Sequence, residues 1–167
     1  MITVVINGKG GAGKDTFIKL CSRYTGVISH SSVYWVKQAA EVLGWTGGKH
    51  LADRKFLSDL KDLSTWYNDG PFESLKDIYE KANKPHVHCD ILFLHVREPN
   101  EIERCVREFD AKTLLIRRPT SNEGVYGNHA DDCVENFNYD YIVDNDGSIE
   151  DLEEQAKEFI LKLGLTI

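Results

Sequence analysis

The sequence predicts an α/β domain of three layers, α/β/α, with a mostly parallel sheet of about five strands. Three observations point there. The apolar runs Ile2-Thr3-Val4-Val5-Ile6 and Ile91-Leu92-Phe93-Leu94-His95-Val96 read as buried strands. Strand-like runs and helix-like periods alternate from end to end, as the crossovers of a parallel sheet require. The 167 residues suffice for one well-buried domain, 1–167, and no stretch has the composition of a linker.

The first strand leads directly into Gly8-Lys9-Gly10-Gly11-Ala12-Gly13-Lys14-Asp15-Thr16, which opens a helical pattern of Phe17, Leu20, Cys21 and Tyr24. This spacing describes a phosphate-binding loop. Its glycines let backbone N–H groups converge on one concavity, and the helix N-terminus turns its positive end to the same place. Gly10, Gly11 and Gly13 permit crowded or left-handed backbone around phosphate oxygens. Lys14 reaches β- and γ-phosphates as a point charge, with Lys9 as a second cation. Asp15 stands where a hydroxyl normally meets magnesium. A carboxylate beside triphosphate is repulsive unless a divalent cation lies between them, so Asp15 reads as a magnesium ligand, with Thr16 on the α-phosphate. The alternative is that Asp15 only complements the helix N-terminus.

Further along, Gly26-Val27-Ile28-Ser29 reads as the second strand, and Ser31 or Ser32 caps a helix carrying Val36, Ala39, Ala40 and Leu43. Lys37, near the start of that helix, is either solvated or a substrate contact. Gly44-Trp45-Thr46-Gly47-Gly48 breaks the pattern. Asp53 and Arg54 then precede a second stripe of Phe56, Leu60, Leu63 and Tyr67, and Asp69-Gly70-Pro71 opens a third helix with Phe72, Leu75 and Ile78 or Tyr79 facing inward. Residues 30–84 thus form a helical excursion longer than a plain crossover needs, which suggests a substrate site.

The third strand ends at Arg97, at the edge where open α/β sheets bind ligands. Arg97 can pair with Glu98 or Glu101, but contact with a substrate phosphate better explains its position. Pro99 starts a helix with Ile102, Cys105, Val106 and Phe109 inside. Lys112 to Ile116 is the fourth strand, ended by Arg117-Arg118-Pro119. The polar stretch that follows, with Gly124 and Gly127, reads either as a lid over residues 117–137 or as a surface loop. Tyr139 to Val143 is the fifth strand. It ends in Asp144-Asn145-Asp146-Gly147, after which Ser148 caps a helix striped by Ile149, Leu152, Ala156, Phe159, Ile160 and Leu163 and stopped by Gly164.

Hydrophobic residues at 41% and charged residues at 28% are ordinary for a globular chain, and no apolar stretch is long enough to span a bilayer. A net charge of −7 argues against nucleic acid or an anionic membrane as partner, which would call for a basic stripe. The chain starts at once with a strand, giving no signal peptide, and Cys21, Cys89, Cys105 and Cys133 are scattered as reduced thiols are, so a cytoplasmic location is expected. His86 and His88 on an apparent loop do not amount to a zinc site.

Phosphoryl transfer is catalysed mainly by positioning and by cations around donor and acceptor. Lys14, magnesium, Arg117 and Arg118 suit the donor, ATP. Arg97, with Lys37 or Arg54, suits a small acceptor that is itself anionic. A hydroxyl acceptor benefits from a carboxylate or histidine at the end of the third strand, where Arg97 is read instead, whereas a phosphate monoester needs no base. Asp90 and Asp53 stay open as bases. Asn83-Lys84-Pro85-His86 begins like a guanine-recognition motif but has His86 where an aspartate must pair with the base, which disfavours a GTP switch.

Gly13-Lys14-Asp15-Thr16, Leu94-His95-Val96-Arg97-Glu98-Pro99, Arg117-Arg118-Pro119 and the run from Tyr139 to Gly147 together resemble the phage-type deoxynucleoside monophosphate kinases, within the P-loop nucleoside monophosphate kinase superfamily. The Gly-Lys-Asp layout is also similar to animal-type phosphomevalonate kinase. The resemblance implies a P-loop NTPase fold and an enzyme that uses ATP and Mg2+ to phosphorylate a phosphate-bearing small molecule. In it Lys14 matches the loop lysine, Arg97 an acceptor-side arginine, Arg117 or Arg118 the lid arginines, and Lys37 a lysine in the helix after the second strand. Phosphomevalonate as acceptor, and a silent nucleotide-binding protein, stand as alternatives.

Overall fold

A computed structural model of the chain describes residues 1–118, 134 and 137–167. Nearly all of the expected lid, including Pro119, Gly124, Gly127 and the acidic Glu123, Asp131, Asp132 and Glu135, lies outside the described residues.

The strands are β1 (Ile2–Asn7), β2 (Val27–Ser31), β3 (Ile91–His95), β4 (Lys112–Arg117) and β5 (Tyr141–Asp144). All pair in parallel in the order β2-β3-β1-β4-β5. The described helices are α1 (Lys14–Cys21), α2 (Tyr34–Val42), α3 (Leu51–Asn68), α4 (Gly70–Ala82), α5 (Pro99–Phe109) and α6 (Ile149–Lys162). This is the expected three-layer α/β/α architecture.

Both faces of β1 and β3 are covered, which is why these strands are apolar at nearly every position rather than at alternate ones. On one face Val4, Ile6, Phe93 and Ile116 meet Phe17 and Leu20 of α1 and Leu152 and Phe159 of α6. Phe159 takes Phe17 edge-on at 5.6 Å and Tyr141 at 5.3 Å. On the other face Val5, Leu92 and Leu94 meet Phe72 and Leu75 of α4 and Ile102 and Phe109 of α5. Phe109 stacks on Phe72 at 5.3 Å and on Tyr79 at 4.6 Å, and the Arg104 guanidinium lies 3.4 Å over the Phe72 ring. Cys21 and Cys105 sit in these layers, where burial pushes both thiols up to about 12. They are inert, as expected of structural cysteines.

After β1 the chain builds β2 and β3 on one side, then passes β1 to build β4 and β5 on the other. The order therefore reverses at β1, the place where open α/β sheets bind ligands.

The elements depart from their sequence reading in several places. The stripe Phe56, Leu63 and Tyr67 is 36%, 57% and 77% exposed, and no side chain of α3 is buried. The reason is position: α3 packs chiefly on α2 and α4, outboard of the helices that cover the sheet. Helix α2 is not capped by Ser31 or Ser32. Its N-cap is Val33, whose N–H reaches Ser31 Oγ at 3.4 Å, while Ser32 is buried. Strand β5 starts later than the sequence suggests because Asp140 turns its carboxylate onto β4, accepting from Thr113 N at 2.8 Å and Thr113 Oγ1 at 2.9 Å. Helix α6 begins as expected. Ser148 Oγ accepts from Asp151 N at 3.1 Å, and the Asp151 carboxylate accepts from Ser148 N at 2.9 Å.

Candidate functional site

The loop between β1 and α1 stands at the point where strand order reverses. Two of its glycines are required by what lies against them. A side chain on Gly8 would come within 2.5 Å of the Ile116 carbonyl oxygen, and Gly13 heads α1 with φ 100, in the left-handed region. Gly11 is also left-handed, and Ala12 N donates to the Lys9 carbonyl at 3.1 Å, so Gly8 through Gly13 close into a tight arch with Gly10 at its outer edge. Lys14 folds over this arch. Its Nζ donates to the carbonyls of Gly8 at 2.5 Å and Lys9 at 3.0 Å. Phosphate oxygens are stronger acceptors than carbonyls, so an ammonium held there is poised to exchange these bonds for an anionic ligand.

Two asparagines fix the arch. Asn7, 1% exposed, accepts from Gly8 N at 2.8 Å and donates to Tyr139 Oη at 2.8 Å and to the Arg97 carbonyl at 3.3 Å. Asn145 donates from Nδ2 to the Ala12 carbonyl at 2.9 Å, while its own N–H donates to the Arg117 carbonyl at 2.7 Å. The ends of β1, β3, β4 and β5 are thereby linked through one loop.

The loop has two flanks. Toward α6 lies a cavity of about 440 Å³, lined on the loop side by Gly11, Gly13, Lys14, Asp15 and Thr16. Its other walls are Arg118, Asn145, Gly147, Ser148, Ile149 and Leu152. Toward α2 lies the end of β3. There His95 Nε2 is 3.0 Å from Ser29 Oγ and 3.9 Å from Asp15 Oδ1. Burial pushes the His95 imidazole below its ordinary value. Asp15 opposes that shift, and Lys14, Arg97 and Lys37 add to it.

Four residues expected from sequence act electrostatically on His95: Lys14, Asp15, Arg97 and Lys37. Arg118 belongs to the opposite flank. Arg117 closes β4. It makes a two-pronged ion pair with Asp144, Nε to Oδ1 at 2.7 Å and Nη2 to Oδ2 at 2.9 Å, because the β4–β5 register sets the two residues side by side. Arg54 lies in the first turn of α3 and donates to the Lys49 carbonyl at 3.1 Å. It neither lines the cavity nor acts on His95.

Four polar residues here were missed in the sequence: Asn7, Ser29, His95 and Asn145. The reading that the third strand ends at Arg97 with no base is corrected, since β3 ends at His95, two residues earlier. Its signal was present as a histidine closing an apolar run. Nothing in the sequence marks Asn7, which merely precedes a glycine.

The residues present fit a divalent cation accompanied by phosphate. The Asp15 side chain is 96% exposed beside the loop lysine, and no group of three or more His, Cys, Asp and Glu forms a cage among the described residues. One carboxylate, with the remaining positions left to phosphate oxygens and water, is the arrangement magnesium favours. No described helix is long and apolar enough to cross a membrane.

No protein-family model matches the chain, and no curated protein matches its sequence. Solved structures do match. The chain is similar to TT1252 from Thermus thermophilus, at TM-score 0.54 and 21% identity, with 97% of each chain covered. It is also similar to shikimate kinase from Aquifex aeolicus, at TM-score 0.53 and 18% identity, covering 98% of this chain and 96% of that one. The tunicamycin resistance protein of Deinococcus radiodurans matches at TM-score 0.57 and 11% identity, with 99% and 96% covered. At these identities the likeness is one of fold, the three-layer α/β/α architecture.

Proposed function

We propose that the chain transfers the γ-phosphoryl group of ATP to a small molecule that already bears a phosphate, a nucleoside or deoxynucleoside monophosphate. One observation carries this reading. A single phosphate-type loop has a cavity of about 440 Å³ on one flank and, on the other, a histidine on which the charges of Lys14, Arg97 and Lys37 all act. An acidic protein has gathered positive charge where two anionic ligands would meet.

In this scheme the loop N–H groups and Lys14 hold the donor phosphates, and Arg118 and the β5–α6 turn enclose the rest of the nucleotide. Asp15 holds the divalent cation, which supplies charge neutralisation on the phosphates. Arg97 and Lys37 hold the acceptor phosphate in line. Such an acceptor needs no base. The shared fold with proteins named as kinases is consistent with this scheme.

The test is turnover of ATP and Mg2+ with a panel of nucleoside and deoxynucleoside monophosphates, phosphomevalonate, and unphosphorylated controls such as shikimate and simple sugars. Conversion of a nucleoside monophosphate is the expected result. Conversion of phosphomevalonate alone would move the acceptor and keep the chemistry. Conversion of unphosphorylated compounds alone would overturn the acceptor class, and absence of ATP binding would overturn the whole reading.

A further inference from the structure

His95 closes β3, and its Nε2 faces two oxygens, Ser29 Oγ at 3.0 Å and Asp15 Oδ1 at 3.9 Å. Both oxygens stand at one nitrogen. A serine–histidine–aspartate relay needs the carboxylate at the other ring nitrogen, so these three side chains do not form one. The Asp15 carboxylate can only accept, and its negative charge favours the tautomer with the proton on Nε2. The ring then donates to Ser29 Oγ, and the hydroxyl's own hydrogen is turned away from the ring. The bond crosses the sheet diagonally, since the register pairs Ser29 with Phe93 and Ser31 with His95. Ser29 is exposed, whereas the ring that holds it is only 20% exposed.

We propose that Ser29 donates a hydrogen bond to the phosphate of the acceptor, and that His95 is the positioning residue that fixes the direction of that hydroxyl. This deepens the acceptor reading above and rests on it. The charges of Lys14, Arg97 and Lys37 all act on the ring and outnumber that of Asp15, so the potential at the Ser29–His95 pair favours an anion. An ammonium attracts from any side, whereas a fixed O–H selects one oxygen and so sets the orientation of the group that charge draws in. The topology brings the donors to one edge of the sheet. Ser29 lies on β2, Lys37 on the helix that follows it, and Arg97 just after the neighbouring strand β3.

Phosphorus NMR of inorganic phosphate titrated into the protein saturated with Mg2+ and non-hydrolysable AMP-PNP tests this, because the analogue fills the donor position. The expected result is phosphate binding that Ser29→Ala weakens by about tenfold, with the affinity for AMP-PNP kept within about twofold. His95→Ala is expected to lose most of the same phosphate affinity. His95→Gln, whose amide can still donate to Ser29, should restore it to within about threefold. Ser29→Ala combined with His95→Ala should lose no more than Ser29→Ala alone. Equal phosphate affinity in Ser29→Ala and the unsubstituted protein overturns the role of Ser29, and the acceptor reading is then decided separately by the turnover panel. A loss in Ser29→Ala with none in His95→Ala overturns the positioning role. Absence of phosphate binding to the loaded protein overturns the subsite, and failure of AMP-PNP to bind overturns the nucleotide reading with it. Ser29→Ala removes only an exposed hydroxyl, so its result does not depend on whether the His95 variants fold.

Discussion

Asn7 Nδ2 donates to Tyr139 Oη at 2.8 Å, joining the end of β1 to the residues that lead into β5. The bond is the middle of a chain, since Gly8 N donates to Asn7 Oδ1 at 2.8 Å and the Tyr139 hydroxyl donates to the Val134 carbonyl at 2.8 Å. Asn7→Ala strands buried groups on both sides and is expected to cost about 1–3 kcal/mol. Tyr139→Phe keeps the ring against Phe137 and removes one hydroxyl, for a loss of about 1 kcal/mol. Urea unfolding measures both. Nucleotide affinity separates them: Asn7→Ala weakens it because Gly8 begins the loop, whereas Tyr139→Phe leaves it nearly unchanged.

Gly13 is constrained twice. Its φ of 100 disfavours any side chain, and a methyl group there would lie 2.4 Å from Asn145 Nδ2, the amide that holds the Ala12 carbonyl. Gly13→Ala is expected to destabilise the fold by about 1–3 kcal/mol and to weaken ADP binding with it. Adding Asn145→Ala relieves the crowding and not the backbone, so the double variant should keep most of the loss. Calorimetric binding and thermal unfolding report the outcome. Full recovery in the double variant would show that contact with Asn145, rather than the left-handed backbone, is the constraint.

These two sites show what the sequence could and could not convey. The loop, α1 and the Ser148 cap were legible because each depends on spacings of a few residues. The α3 stripe was legible as a period but not as an exposed face, since Phe56, Leu63 and Tyr67 repeat identically whether or not a sheet lies beneath them. His95 escaped because its nearness to Asp15 comes from the pairing of Ile6 with His95, two strands far apart in the chain. The pairing of Arg117 with Asp144 escaped for the same reason. Only the β4–β5 register brings Asp144 beside it.

Acid should weaken the fold in two stages. Burial holds His30 below its ordinary value, against an opposing effect of Asp77, while its Nε2 shares a hydrogen bond with Ser74 Oγ at 2.7 Å. Burial depresses His95 in the same direction. As pH falls through about 6.5, the unfolded chain protonates these rings first and the folded state loses stability. Backbone N–H donation from Gly26 and a bond from Thr25 depress Asp90, and Arg117 depresses Asp144. Their contributions persist until pH drops below about 4, the ordinary carboxylate value, and are then lost. Urea midpoints between pH 8 and 5 check the first stage. His30→Gln, which can still bond Ser74, should flatten part of that slope, and an unchanged slope would show that His30 protonates without cost in the folded protein.

The two flanks of the loop predict a division of kinetic effects. Lys14 serves the transferred group, so Lys14→Ala should lower kcat by about 10²–10³-fold or more. Arg97 is on the His95 flank and Arg118 lines the opposite cavity. Arg97→Ala should raise the KM for the acceptor by about tenfold or more with the KM for ATP within about twofold, and Arg118→Ala should do the reverse. Arg117→Ala breaks a half-exposed pair with Asp144 and should change stability by no more than about 1 kcal/mol. Steady-state kinetics with both substrates varied distinguishes these cases. Equal rises in both constants for Arg97→Ala would place that arginine at the shared phosphate rather than at the acceptor.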